Sequence, residues 1–387
     1  MVTNYRAKIV HVSTVGITGT KLLLPQCTYF REKGFEISFV FSPGPEAQIL
    51  RERGFTVKEI KIERAINPLQ DLISIRSLRN YFCQLRPDIV HTHTSKAGLA
   101  GRLSAWLSGV PVIVHTVHGF PFHEGMPRVK TRLYQTMEKL GASLSTAILT
   151  QSKEDIDNAD RLGIRSKTGD LIHIGNGVDT NEFNPKRFTK ERQLDIKRKL
   201  GLKPGTLVLT TIARVNPLKG YGDLIGAVAK LPKGDWQLLC VGEDEGQEAK
   251  IKNKIKQLSL GDKVNILGKR DDIAEILSVS DIYILASYRE GIPRSAIEAQ
   301  AMEIPAVVTN VRGSREVVVD GQTGFIIPPH EPEILAGAIG KLMENAEIRI
   351  KFGKAGRRRV LEEFNENKVF ERIMREYERL LVGKGYP

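Results

Sequence analysis

Short apolar segments alternate with amphipathic segments along the first half of the chain. Residues 8–13 and 36–41 are rich in β-branched and other apolar residues, and residues 20–33 between them carry apolar side chains at helical spacing. Each predicted strand is short and is followed by a helix, which is typical of a parallel sheet covered on both faces. The same pattern predicts strands at residues 56–60, 88–91, 112–116 and 146–150 and helices at residues 46–53, 69–85, 97–107 and 128–140.

The alternation starts again in the second half of the chain. Residues 176–185 are rich in turn-forming residues, and residues 201–205 form a Gly/Pro junction just before the second series of strands. Since one hydrophobic core stops growing at roughly 250–300 residues, the 387-residue chain is expected to form two domains. We predict an α/β protein with two doubly wound parallel-sheet domains, residues 1–182 and 183–364, and a terminal helix within residues 365–387 that packs back on the first. The strands of the second domain are predicted at residues 206–212, 237–241, 264–267, 282–286 and 306–309.

The net charge of the chain indicates which classes of binding partner to expect. With 58 Lys and Arg against 45 Asp and Glu, the formal net charge is +13. Such a surface attracts polyanions, anionic lipid headgroups and phosphorylated substrates. None of the basic and aromatic modules that bind nucleic acid occurs in the sequence, so we expect no nucleic-acid partner. Peripheral contact with an anionic membrane fits the charge.

Cysteine use and hydropathy indicate the compartment. Cys27, Cys83 and Cys240 are far apart and lack C-x-x-C spacing, which favours a reducing environment. The first residues contain no signal-peptide core, and no apolar run approaches the roughly 18 residues that a membrane span needs. We therefore expect a cytoplasmic protein.

Chemistry is expected in the loops after the strands, because ligands of open parallel sheets bind beyond the carboxyl ends of the strands. Two such domains facing each other would enclose one site in a cleft. The first loop carries Gly16 and Gly19, whose spacing matches neither the dinucleotide fingerprint nor a P-loop, so a phosphate loop and a plain turn both remain open. In the second domain, Arg214 leaves a strand and Lys219 opens the next helix. These two cations, with helix N–H groups, suit a diphosphate.

A pair of carboxylates forms the most informative motif. Glu290 and Gly291 follow a predicted strand, a helix is predicted to begin at Pro293 or Arg294, and Glu298 lies about one turn inside it. Carboxylates in these positions suit an acid/base pair or the binding of hydroxyl groups.

Histidines are concentrated in the first domain. Strand alternation puts His91 and His93 on one face, so a metal site has to be considered. Because carboxylates at ligand spacing are scarce around them, we expect no metal, one histidine facing the cleft and the others in structural roles. Asp155 and Asp157 match a D-x-D pattern, but Ser152 three residues before Asp155 favours a helix cap.

Together these segments resemble the retaining glycosyltransferases of family 4, which have the two-domain GT-B fold. The resemblance covers nearly the whole chain and is strongest to the subgroup that assembles bacterial surface polysaccharides. It rests on an E-x7-E element from Glu290 to Glu298 that runs on to Pro305, with Arg214 and Lys219 in register, and on residues 90–98, 115–120 and 313–316. Two positions depart from the common pattern: Thr20 follows Gly19 where many relatives have a second glycine, and Ile304 stands before the proline where many have glycine.

The resemblance implies a role for each site residue. Arg214 and Lys219 would contact the donor diphosphate, Glu290 the hydroxyls of the transferred sugar, and Glu298 the ribose. The remaining donor-site residues are His118 in the sugar pocket, Gly19 beside the phosphate, Gly291 in the donor-binding loop, and Lys269 with Arg270 at the base.

The implied activity is transfer, with retention and without a metal or other cofactor, of a hexose or N-acetylhexosamine from a nucleotide sugar. The donor is expected to be a UDP-sugar, and the acceptor a lipid-linked saccharide in polysaccharide or glycolipid synthesis. Two alternatives remain open: a nucleotide-sugar epimerase of the same fold and a noncatalytic polyanion-binding protein. An NAD-dependent oxidoreductase is disfavoured, because the sequence lacks the glycine fingerprint of that class of enzyme.

Overall fold

The chain divides into two compact units. The computed structural model describes residues 7–63, 65, 67–122 and 126–385. The first unit comprises Met1–Gly175 together with Val369–Pro387, and the second comprises Asn176–Lys368. The division therefore falls seven residues before the boundary predicted after residue 182, and the Gly/Pro segment 201–205 lies inside the second unit.

The described residues of the first unit form one parallel sheet of seven strands. These strands are β1 (Lys8–Val12), β2 (Glu36–Phe41), β3 (Thr56–Glu59), β4 (Ile89–His93), β5 (Val112–Val117), β6 (Ala147–Thr150) and β7 (Leu171–His173). They pair in the order β3-β2-β1-β4-β5-β6-β7, so the order reverses between β1 and β4. Strands β2, β4, β5 and β6 are almost wholly buried, as expected for a sheet covered on both faces.

Helices connect these strands. A π-helical turn, Thr18–Leu23, leads into the first of them. The helices are α1 (Leu24–Glu32), α2 (Glu46–Glu52), α3 (Pro68–Leu85), α4 (Ser95–Leu107), α5 (Arg128–Leu144) and α6 (Lys153–Leu162). At the start of α6, Asp155 N donates to Ser152 Oγ over 3.2 Å, so the predicted helix cap is confirmed.

The described residues of the second unit form a six-stranded parallel sheet. Its strands are β8 (Leu207–Ile212), β9 (Trp236–Val241), β10 (Val264–Gly268), β11 (Ile282–Leu285), β12 (Ala306–Thr309) and β13 (Gly324–Ile327). They pair in the order β10-β9-β8-β11-β12-β13, which reverses between β8 and β11. The helices are α7 (Lys190–Lys199), α8 (Tyr221–Val228), α9 (Glu248–Gln257), α10 (Ile273–Ser278), α11 (Arg294–Ala301), α12 (Ser314–Val317), α13 (Pro332–Glu344) and α14 (Ala346–Glu363).

The last helix, α15 (Glu366–Val382), packs in the core of the first unit. Its apolar side chains recur at helical spacing from Val369 to Leu381 and are buried with Phe30 and Phe35. The hydroxyl of Tyr377 lies 2.5 Å from His91 Nδ1 on β4. Residues 386 and 387 of the predicted terminal segment lie outside the described residues.

The predicted fold class, two doubly wound parallel-sheet halves, is confirmed. Each predicted strand occurs within two residues of its predicted ends. Strands β7 and β13 were not predicted; they are edge strands of three and four residues, which leave no long apolar run in the sequence. Among the described residues, none of the helices combines the length and the apolar character that crossing a bilayer requires.

Candidate active site

The loops after β8 and β11 meet where the strand order of the second sheet reverses. In open parallel sheets this point leaves a crevice beyond the carboxyl ends of the strands, where ligands bind. The loop after β8 carries Arg214 and Lys219, and the loop after β11 carries Glu290 and Gly291. Four of the predicted donor residues therefore belong to this one edge of the sheet.

Lys219 and Glu290 form an ion pair across the two loops. Lys219 Nζ lies 2.7 Å from Glu290 Oε1, and the two side chains are only 16% and 10% exposed. Lys219 ends a 3-10 turn that Asn216 caps by accepting from Leu218 N over 3.0 Å. Tyr288 N, on the opposite loop, donates to Leu218 O over 2.8 Å. The Asn216 cap thus fixes the turn that carries Lys219, and a backbone hydrogen bond joins this turn to the loop that carries Glu290.

Two glycines allow the backbones around this pair to approach closely. Gly220 has φ +62°, and a Cβ there would lie 1.9 Å from Ala286 O at the end of β11. Gly313 has φ +77°, and a Cβ there would lie 1.2 Å from Gly291 O. Because any side chain at either position would collide with backbone, these glycines set the spacing of the loops that carry Lys219 and Glu290.

Arg214 pairs with a different carboxylate. Its Nη1 lies 2.5 Å from Glu245 Oε1, and its side chain is 60% exposed. Asn216 Nδ2 donates to the other oxygen of Glu245 over 2.7 Å. The two predicted diphosphate ligands therefore share one loop but have separate acidic partners. Glu245 was not singled out from the sequence, since an acidic residue after a strand carries no distinctive signal.

Glu298 is the fifth residue of α11, and its side chain contacts Arg294. Arg294 Nε is 3.1 Å from Glu298 Oε1, and Arg294 Nη2 is 3.6 Å from Glu366 Oε2. Burial raises the pKa of Glu298, and the positive charge of Arg294 opposes this shift. Burial also raises the pKa of Glu366 to about 7. Sequence analysis missed Arg294 and Glu366 as neighbours of Glu298; the i, i+4 spacing of Arg294 and Glu298 was the available signal.

Arg270 and Lys269 follow β10, two strands away from β8. The Arg270 guanidinium forms a bidentate pair with Asp272, with N–O distances of 2.8 and 2.5 Å. Lys269 Nζ lies 3.7 Å from Glu243 Oε2. In this structure both predicted base-binding side chains contact carboxylates of neighbouring loop residues.

Gly19 lies in the first unit, in the π-helical turn after β1. A Cβ at this position would lie 3.1 Å from Leu50 Cδ1 and 3.5 Å from Phe39 Cδ1. Leu50 would have to shift by a few tenths of an ångström to admit a Cβ, so close packing against this core residue favours glycine at position 19.

His118, the predicted sugar-pocket residue, ends a chain of three imidazoles. His11 Nδ1 lies 3.0 Å from His93 Nε2, and His93 Nδ1 lies 3.1 Å from His118 Nε2. Burial lowers the pKa of His118 to about 4 and that of His11 to about 3, so both rings are neutral at neutral pH. Sequence analysis missed His11, because its approach to β4 depends on the register in which His11 pairs with His91.

A metal site among these histidines was considered from the sequence. His11, His91 and His93 each offer a nitrogen, and these atoms lie within 4.8 Å of one another. Both nitrogens of His91 are already hydrogen-bonded, to Tyr377 and, over 2.6 Å, to Thr116 Oγ1. Both nitrogens of His93 contact other histidines. A metal ion bound by His91 or His93 would therefore have to replace existing hydrogen bonds, whereas the buried His11 Nε2 has no hydrogen-bond partner among the described residues.

The two tandem parallel-sheet units have the architecture of GT-B glycosyltransferase structures. Solved structures share this architecture over almost the whole chain. A glycosyltransferase from Rickettsia africae gives a TM-score of 0.84 at 22% identity, over 97% of this chain and 99% of that chain. HepE from Anabaena, solved with UDP and glucose, gives a TM-score of 0.83 at 20% identity, over 97% and 100%. At these identities the likeness shows the fold.

The family follows from the sequence comparisons. Residues 192–359 match the model for "Glycosyl transferases group 1", and residues 23–175 match the "Glycosyl transferase 4-like domain". A UDP-Gal:alpha-D-GlcNAc-diphosphoundecaprenol alpha-1,3-galactosyltransferase of Escherichia coli is 29% identical over 99% of both chains. The chain belongs to the glycosyltransferases that these two models describe, as the motifs predicted, and it is a glycosyltransferase.

Proposed function

We propose that the protein transfers a hexose or N-acetylhexosamine from a UDP-sugar to a lipid-linked saccharide in polysaccharide or glycolipid synthesis. The observation that carries the proposal is the pairing of Lys219 with Glu290 at the switch point of the second sheet. The relative from Escherichia coli is named for UDP-galactose and a diphosphoundecaprenol acceptor, and HepE from Anabaena was solved with UDP and glucose. Both names support this choice of donor and acceptor.

Lys219 and Arg214 supply the charge that the reaction needs. When the glycosidic bond to the nucleotide breaks, negative charge develops on the departing diphosphate. Fixed cations aimed at that charge stabilise the transition state without reorganisation. Lys219 is well placed for this role, because its side chain is mostly buried and its loop is fixed by backbone hydrogen bonds.

The carboxylates bind hydroxyl groups in this proposal. Glu290 turns from Lys219 to the hydroxyls of the transferred sugar, and Glu298 accepts from the ribose, with Gly291 leaving room between them. Lys269 and Arg270 leave their present carboxylate partners and contact the base of the nucleotide instead. His118 and Gly19 keep the roles that the resemblance implies, toward the donor sugar and its phosphate.

Transfer is proposed to retain the anomeric configuration and to need no metal. In this mechanism the departing phosphate takes the proton of the acceptor hydroxyl as that oxygen attacks the same face of the sugar. The new glycosidic bond forms as the bond to the nucleotide breaks, and UDP leaves with the proton. Arg214 and Lys219 provide the positive charge that a metal ion supplies to diphosphates elsewhere.

The place of action is proposed to be the cytoplasmic face of a membrane. The three cysteines are free, which fits a reducing compartment. A net charge of +13 favours association with an anionic lipid surface, where a lipid-linked acceptor resides.

A transfer assay tests the proposal. The protein is incubated with a panel of UDP-sugars and a prenyl-diphosphate saccharide, and products are identified by mass spectrometry and by the anomeric coupling constant in NMR spectra. The expected result is an α-linked product from an α-linked donor, formed equally well in the presence of a chelator. Conversion of the donor sugar without any acceptor would instead identify an epimerase. Activity that a chelator abolishes and added metal restores would overturn metal independence.

A further inference from the structure

Helix α5 presents an apolar stripe to solvent along most of its length. Val129 is 81% exposed, Leu133 48% and Leu140 56%. At about 100° per residue these three side chains fall within about 40° of one another around the helix axis. Exposed apolar side chains are ordinary when single, but an aligned row on one helix marks an interaction surface.

Cations flank this stripe. Arg128, Arg132 and Lys139 form a row on one side of it, and Lys130 lies on the other. All four are exposed. The helix contains a single carboxylate, Glu138, which is buried. The outward face of α5 therefore combines apolar and positive groups without a negative charge of its own.

The inward face of α5 is fixed, so the stripe is a permanent surface. Glu138 Oε2 lies 3.3 Å from Arg102 Nη2, and both side chains are at most 5% exposed. A Cβ on Gly141 would lie 2.3 Å from the Arg102 guanidinium carbon, so only glycine admits this pair. The helix cannot rotate its apolar stripe inward without burying an unpaired charge.

We propose that the outward face of α5 docks on an anionic lipid bilayer. The stripe Val129–Leu133–Leu140 would enter the boundary between headgroups and acyl chains, as the apolar faces of interfacial helices do, while the four cations contact lipid phosphates. The cations that flank the stripe favour an anionic bilayer as its partner. Helix α3 also exposes apolar residues, Leu69, Leu72 and Ile73, but Asp71 lies among them, and the only cations of this helix, Arg76 and Arg79, both lie on their C-terminal side. The surface deepens the proposed function, because it would bring the enzyme to its lipid-linked acceptor.

Vesicle co-sedimentation of the full chain tests the surface. Wild-type protein is expected to bind vesicles that contain phosphatidylglycerol and to bind pure phosphatidylcholine much more weakly. The triple variant V129S/L133S/L140S is expected to lose roughly tenfold or more in affinity. The variant R132Q/K139Q is expected to lose about fivefold per cation and most of the dependence on salt. Because all five side chains are exposed, folding should be preserved, and circular dichroism checks this.

A matched variant controls for apolar exposure in general. Leu194, Ile334 and Ile350 of the second unit are 59%, 46% and 57% exposed. Their replacement by serine should leave vesicle binding unchanged. Equal binding of wild type and the α5 triple variant would overturn the proposal, as would equal binding to anionic and neutral vesicles. A dimer that the triple variant converts to monomer, with no change in vesicle binding, would assign the stripe to a second copy of the chain.

The same variants separate this surface from the proposed function. The α5 triple variant should transfer sugar to a detergent-free, short-chain acceptor as fast as wild type does. If no acceptor is glycosylated by wild type while vesicle binding still depends on α5, the proposed function fails and the surface stands. If transfer proceeds but vesicle binding is unchanged by the α5 substitutions, only the surface assignment fails.

Discussion

Lys219 and Glu290 lie 71 positions apart in the sequence and form an ion pair of 2.7 Å between two loops at the switch point of one sheet. Each group neutralises the other in this structure. A phosphate that takes Glu290's place on Lys219 would release the carboxylate toward the hydroxyls of the attached sugar. In the proposed function, the pair would therefore couple recognition of the diphosphate to recognition of the sugar.

Replacing Lys219 should slow catalysis more than it weakens donor binding. We expect Lys219→Ala to lower kcat by roughly 10²- to 10³-fold, since a fixed charge near a developing oxyanion acts mainly in the transition state. Steady-state kinetics with the preferred UDP-sugar measures this. Lys351→Ala, at an exposed position on α14, is the control and should behave as wild type. A kcat within twofold of wild type for the Lys219 variant would contradict the role of this lysine.

Removing the charge of Glu290 should strengthen the binding of UDP and at the same time slow turnover. In Glu290→Gln the lysine is no longer neutralised by a carboxylate, so UDP should bind several-fold more tightly. The amide accepts hydrogen bonds from sugar hydroxyls less strongly than the carboxylate does, so kcat should fall. Isothermal titration with UDP and kinetics with the UDP-sugar give the two values. Weaker binding of UDP by this variant would show that Glu290 does not compete with phosphate for Lys219.

Two neighbouring glycines should respond to alanine in opposite directions. A Cβ at Gly220 would lie 1.9 Å from Ala286 O, so Gly220→Ala should force the two loops apart, lower stability and reduce kcat. A Cβ at Gly222 meets no atom within 4 Å, and this residue lies within α8. Gly222→Ala should therefore stabilise the protein by about 0.5–1 kcal/mol. Thermal unfolding and activity of both variants check this, and similar effects at the two positions would be inconsistent with the structure.

The buried histidines should make the first unit sensitive to acid. The ordinary histidine pKa is 6.5, while burial lowers the pKa of His11 to about 3 and that of His118 to about 4. Between these values the unfolded chain binds more protons than the folded chain. Stability is therefore full above pH 6.5 and falls as the pH decreases toward 4, by on the order of 1 kcal/mol per pH unit for each such histidine.

The two tryptophans allow this effect to be measured in one unit at a time. Trp106 lies on α4 of the first unit and Trp236 on β9 of the second. In a Trp236→Phe background, denaturant unfolding followed by Trp106 fluorescence should show a steep loss of stability below pH 6.5. Adding His11→Phe should flatten that slope, whereas His330→Asn, at an exposed position of the second unit, should not change it. A slope unaffected by His11→Phe would mean that this ring does not stay neutral in the folded state.

Much of the fold could be predicted from the sequence because parallel strands buried on both faces leave short apolar runs, and the helices between them leave a 3.6-residue period. The short edge strands β7 and β13 leave neither signal clearly. The boundary between the units was predicted seven residues too late, because the turn-rich segment 176–185 extends past Gly175, and composition does not show on which side of a turn the contacts change.

The order of residues by itself determined that Arg214, Lys219 and Glu290 follow strands, because position after an apolar run is a local property. It also determined the excess of positive charge and the serine cap of α6. Only the tertiary structure decided that Lys219 meets Glu290 while Arg214 meets Glu245, and that His11 joins His93 and His118. These contacts depend on strand order, on register and on close backbone approach at Gly220, which join residues far apart in the chain and leave no periodic trace in it.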